Sequence, residues 1–83
     1  DENTNNAATL GLYFYDQIIR FNNNEHSKIK IDIFDSRGKL ILKTSTNETN
    51  LDLSPIQPGI YFAILNKDNS IQKLKFIVKM THD

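Results

Sequence analysis

The sequence predicts an all-β domain: an antiparallel two-sheet sandwich of immunoglobulin-like type with about seven strands. Three observations carry this. Ile29, Ile31 and Ile33 alternate with Lys30 and Asp32, the pattern of a strand with one face in the core and one in water. A Pro58-Gly59 pair feeds a six-residue apolar run rich in β-branched and aromatic types. Turn-forming clusters recur at about 8–12 residue spacing, and no segment has an apolar stripe at helical period.

The chain has 83 residues, enough for one small core and no more. Residues 1–8 are acidic, Asn-rich and small, so they are expected to form a flexible linker. Residues 9–83 are expected to form the single sandwich domain. The aromatic run Leu12-Tyr13-Phe14-Tyr15 opens it, and residues 16–21 continue in extended form past a bend near Asp16. Residues 22–27 form an Asn-rich loop, because Asn side chains compete for ladder hydrogen bonds.

The strand at residues 28–35 is followed by Asp35-Ser36-Arg37-Gly38. Asp at the first position and Gly at the last favour a type I turn with a left-handed glycine, a common hairpin connection. The return strand should turn Leu40 and Leu42 inward. After a polar loop, Leu51 and Leu53 flank Asp52 in a short strand. Pro58 then sets φ for a turn, and Gly59 is expected to take the positive φ of a type II turn.

Tyr61 stands two residues past Gly59. That is where sandwiches place a tyrosine corner, with the ring in the core and the hydroxyl bonded to nearby backbone. Ala63 and Leu65 share its face, and Ile60, Phe62 and Ile64 form a second apolar face. Both faces are expected to be covered within the domain. In the last strand Leu74, Phe76 and Val78 should point in, and Lys73, Lys75, Ile77 and Lys79 out.

Composition excludes several functions. Ten basic residues balance ten acidic ones, which argues against nucleic acid as the partner. No apolar run approaches the ~20 residues of a membrane span. There is no cysteine, hence no disulfide and no thiolate metal site. His26 and His82 have no partner at ligand spacing, and Asp32, Asp35 and Asp52 are scattered singly among lysines, so neither a metal nor another cofactor is expected. No nucleophile-and-base arrangement or phosphate-cradling glycine loop is present, so the domain is read as not an enzyme. Lys73, Lys75 and Lys79 remain, a basic strip that serves equally as edge protection or as a partner-binding surface.

The motifs together resemble a known family. The hairpin from Ile29 through Asp35-Ser36-Arg37-Gly38-Lys39 to Ile41 is similar to the "D-x-x-G-K" hairpin of the C-terminal sorting domains of the type IX (Por) secretion system of Bacteroidetes. Leu51-Asp52-Leu53-Ser54 followed by Pro58-Gly59-Ile60-Tyr61 resembles its "L-x-L-S…P-G-x-Y" segment, and residues 73–79 its closing lysine-bearing strand. The Tyr-Pro-Asn-Pro-like motif of the family's first strand is missing around Tyr13, so the chain is identified as a divergent member.

The resemblance implies a non-catalytic secretion signal. Its partners would be the outer-membrane secretion machinery and a sortase-like peptidase, with a passenger domain on the N-terminal side. It would reach the cell surface or the medium through the periplasm and outer membrane. The family's signal maps here onto Pro58, Gly59, Tyr61, Lys73, Lys75 and Lys79, with Asp35 and Gly38 shaping the hairpin. The alternative is an immunoglobulin-like accessory module, a spacer or a carbohydrate- or protein-binding domain of an exported protein. Its mark would be exposed aromatics on one face, for which Tyr13, Phe14 and Tyr15 are the candidates.

Overall fold

Seven strands build two facing antiparallel sheets in a computed structural model, which describes residues 11–80. The linker expected at residues 1–8, the domain start at residue 9 and His82 lie outside the described residues. Strands β1 (Tyr13–Tyr15), β2 (Ile18–Arg20) and β5 (Asn50–Asp52) form the smaller sheet, in the order β1-β2-β5. Strands β3 (Ile29–Asp35), β4 (Leu40–Thr46), β6 (Gly59–Lys67) and β7 (Ser70–Val78) form the larger, in the order β4-β3-β6-β7. The chain crosses between sheets after β2, β4 and β5, and the remaining links are hairpins.

The alternation read from the sequence places the core. Ile29, Ile31 and Ile33 of β3, Tyr61, Ala63 and Leu65 of β6, and Phe76 and Val78 of β7 are buried. Ile19, Phe21 and Leu53 close the core from the other side, and Leu42 and Leu74 pack half-buried against it. The Phe76 ring lies 4.8 Å from Phe14 of β1 and 5.8 Å from Tyr61, so one aromatic cluster joins the open edges of both sheets.

Three expectations need correction. Leu40 points outward and is 44% exposed, where the alternation predicts it inward. The register explains this: Ile33 pairs with Leu42 but Phe34 pairs with Leu40, so Ile41 is an extra residue. Such a bulge reverses the phase of the strand beyond it.

Secondly, the apolar face of Ile60, Phe62 and Ile64 is not covered within the domain: Ile60 and Phe62 are exposed and Ile64 is only half-buried. The smaller sheet covers one side of the larger, and two layers leave this side bare. Thirdly, Asp16 is not a bend in a continuing strand but half of a two-residue hairpin turn, since Tyr15 pairs with Ile18. Asp16 and Gln17 take φ of 55° and 67°, the double positive φ that matches the twist of a tight hairpin.

The Asn-rich loop hides a core residue. Asn23 is fully buried. Its amide nitrogen donates toward the carbonyls of Ser27, Asn47 and Glu48 at 2.9, 3.1 and 3.0 Å, and its oxygen accepts from the Ser27 N–H at 3.1 Å. This side chain stitches the β2–β3 loop to the β4–β5 loop, where backbone groups would otherwise lack partners. Nearby, Lys67 and Glu25 pair at 2.8 Å, which holds the Glu25 carboxyl below its ordinary range.

Candidate functional site

The motif residues gather at one end of the larger sheet. Asp35 opens the β3–β4 turn. Its carboxylate accepts from the backbone N–H groups of Arg37 and Lys39, both at 2.9 Å, while its carbonyl accepts from Gly38 at 2.9 Å. Gly38 has φ +87°, so the predicted left-handed glycine is present. The Lys39 N–H, then that of Arg37, lowers the Asp35 pKa, because both bonds favour the ionised form. Asp52 is lowered in the same way by the Ser54 N–H and hydroxyl.

Beside this turn stands the tyrosine corner, with Tyr61 paired to Asp35 across the β3–β6 ladder. The Tyr61 hydroxyl donates to the Gln57 carbonyl at 2.6 Å, and its ring is buried. This is the geometry expected from the sequence. Pro58 immediately precedes β6, and Gly59 is its first residue.

Gly59 has φ +156°, positive but well past the ~+80° of a type II turn. A Cβ there would lie 3.4 Å from the Tyr61 ring and hydroxyl. The glycine is therefore required by the uncommon backbone conformation, since a Cβ would only touch the ring at ordinary van der Waals distance.

The lysines project from β7, an edge of the larger sheet. Lys73, Lys75 and Lys79 are exposed, as the alternation predicts, with Lys79 one residue past the strand. Across the ladder Lys73 faces Ile64, Lys75 faces Phe62, and Ile77 faces Ile60. The basic strip thus borders the uncovered apolar face. Sequence reading registered the lysines and the apolar residues separately and did not bring them together.

Tyr13 and Tyr15 stand on the opposite outer surface, 53% and 68% exposed, with Phe14 turned inward. Their ladder partners are Arg20 and Ile18, which in turn pair with Asn50 and Asp52.

The fold is thus a small antiparallel β-sandwich with turns braced by aspartates, a tyrosine corner and a lysine-lined edge strand. The chain belongs to the secretion system C-terminal sorting domain family, whose description matches residues 15–79. Comparison with curated proteins found no match, and comparison with solved structures found none. Domains of this family are sorting signals of type IX secretion in Bacteroidetes and are not catalytic. Membership implies interaction with that machinery and export toward the cell surface or the medium. Among the described residues, no helix is long and apolar enough to cross a membrane.

Proposed function

We propose that the domain is a tag the outer-membrane export machinery reads through strand β7. The passenger domain on its N-terminal side would be carried out with it. A sortase-like peptidase would then remove the tag, or the tag would stay on while the passenger is attached at the surface. The backbone edge of β7 offers strand addition, and Lys73, Lys75 and Lys79 supply side-chain selectivity. One observation supports this reading: Lys73 and Lys75 stand in a row on an edge strand, beside Ile64 and Phe62 of the neighbouring strand. Asp35, Gly38, Pro58, Gly59 and Tyr61 serve indirectly by fixing the sheet that presents the edge.

The test is the triple variant Lys73→Gln/Lys75→Gln/Lys79→Gln. A reporter fused to the domain is expressed in a Bacteroidetes host with the secretion system, and the purified domain is melted in parallel. Stability should stay within ~0.5 kcal/mol, as for most surface substitutions. Export should fall. Normal export at normal stability assigns the lysines to edge protection alone.

A second reading has the two exposed tyrosines in its favour. Tyr13 and Tyr15, flanked by Arg20, Asn50 and Asp52, give a platform on which sugar rings could stack, as in an accessory carbohydrate-binding module. Affinity electrophoresis in soluble polysaccharides checks it. Retardation abolished by Tyr13→Ala/Tyr15→Ala supports that reading, and unretarded migration of the unaltered domain removes it.

A further inference from the structure

The outer surface of the larger sheet is unusual for a module this small. Leu40, Ile41, Ile60, Phe62 and Ile77 are 44%, 39%, 42%, 40% and 54% exposed. They are neighbours: Phe34 pairs with both Leu40 and Phe62, and Ile60 pairs with Ile77. Scattered apolar side chains on a surface need no explanation, but a contiguous group rimmed by polar residues marks an interaction site. Three independent features of the sequence build this one. The alternation in β6 places Ile60 and Phe62, that in β7 places Ile77, and the bulge at Ile41 brings Leu40 onto the same side.

The rim is mostly basic. The outward positions of the four strands carry Lys30, Lys43, Lys73 and Lys75 against a single carboxylate, Asp32. Lys43 already lies 3.3 Å from Asp32. The chain as a whole is neutral, so this excess is local.

We propose that the outer face of the β4-β3-β6-β7 sheet is a docking surface for a protein partner that is apolar at its centre and carboxylate-bearing at its rim. The proposal rests on the sorting reading, since it takes that partner to be a component of the export apparatus. It enlarges the recognised surface from the lysine row of β7 to the whole sheet face. Phe62 supplies the central anchor, with Phe34 and Leu40 beside it and Ile60 and Ile77 toward the edge. The lysines select for acidic residues and steer the approach.

A second copy of the chain is a poor occupant, because stacking two such faces sets four lysines against four. A membrane is also disfavoured. Phe34 is half-buried, and the face is a strand ladder and not an amphipathic helix that could lie along the acyl boundary.

The experiment uses the same reporter fusion with two new variants. Phe62→Thr/Ile77→Thr removes the apolar centre and keeps strand propensity. Lys30→Glu/Lys43→Glu reverses the rim away from β7 and leaves all apolar packing in place. Loss of two anchors of a docking surface should lower export by about tenfold or more. The charge reversal should lower it further than Lys30→Gln/Lys43→Gln, with the melting temperature of the purified domain maintained.

If Phe62→Thr/Ile77→Thr fails to fold, the charge pair decides. Normal export of both folded variants overturns the docking face and leaves the sorting reading standing. Failure of the unaltered fusion to export overturns both. A concentration-dependent dimer abolished by Phe62→Thr/Ile77→Thr overturns the proposal in favour of a second copy. Flotation of the unaltered domain with phosphatidylglycerol-containing vesicles, lost in the same variant, overturns it in favour of a lipid surface.

Discussion

The two sheets face each other across one core but are built differently. In the larger, β3 and β4 run for seven residues each and β6 and β7 for nine. In the smaller, all three strands run for three. Long strands give many ladder bonds and many inward side chains, so the larger sheet holds most of the core. A three-residue strand inserts one inward side chain, as Phe14 and Ile19 show. The smaller sheet is therefore a lid, kept in place by what surrounds it: the Phe14–Phe76 contact and the loops clamped by Asn23. The sheet with the longer strands also carries the lysines and the uncovered apolar face, the surfaces proposed for recognition.

If this division is right, substitutions in the larger sheet and in the lid should differ in kind. Ile31→Ala leaves a cavity at the centre of the larger sheet. It should cost ~2–5 kcal/mol, enough to unfold a domain of this size, and should remove all structure together in a urea titration. Partial unfolding with the lid lost first would show that the core is less unified than described. Asn23→Ala strips the clamp and leaves the carbonyls of Asn47 and Glu48 short of a partner. A cost of about 1–3 kcal/mol is expected. Hydrogen exchange should quicken in β2 and β5 and hardly change in β3 and β6. Uniform acceleration would sink the lid description.

The smallest effect is acid sensitivity. Asp35 in the larger sheet and Asp52 in the lid both have pKa values below their ordinary range. The folded state thus binds their protons more weakly than the unfolded chain does. Their contribution is fully present above the unfolded carboxylate value of about 4 and is lost as pH falls through the lower folded values. Melting temperature should drop on acidification through that window, and Asp35→Ala should flatten the drop. An unchanged pH profile in Asp35→Ala would remove the turn carboxylate as a source of stability.

The same division decided how much could be read from the sequence. Strands β3, β6 and β7 are long enough for period-two alternation to declare itself, and the Asp35–Gly38 and Pro58–Gly59–Tyr61 signals are local chemistry. The outward direction of the three lysines follows from the same alternation. The Asp16-Gln17 turn has neither glycine nor asparagine, and its flanking strands are too short for a period to show. The bulge at Ile41 is an insertion with no compositional mark, so Leu40 took the wrong phase. Asn23 is one of several asparagines in its loop, and only the three-dimensional path of the β4–β5 loop singles it out for burial. The apolar face of Ile60 and Phe62 is plain in the sequence. Whether anything covers it depends on the number of layers, a property of the whole fold.

The aromatic contact between Phe14 and Phe76 has a mechanical consequence. It brings the first and last strands together at the open edges of the two sheets. The resistance met from each end is nonetheless unequal. A pull on the upstream end loads β1 and β2, which let go after three residue pairs. A pull on the downstream end loads β7, which is zipped to β6 over nine. The module is thus a fastening whose first strand is released over a short ladder and whose last strand is released over a long one.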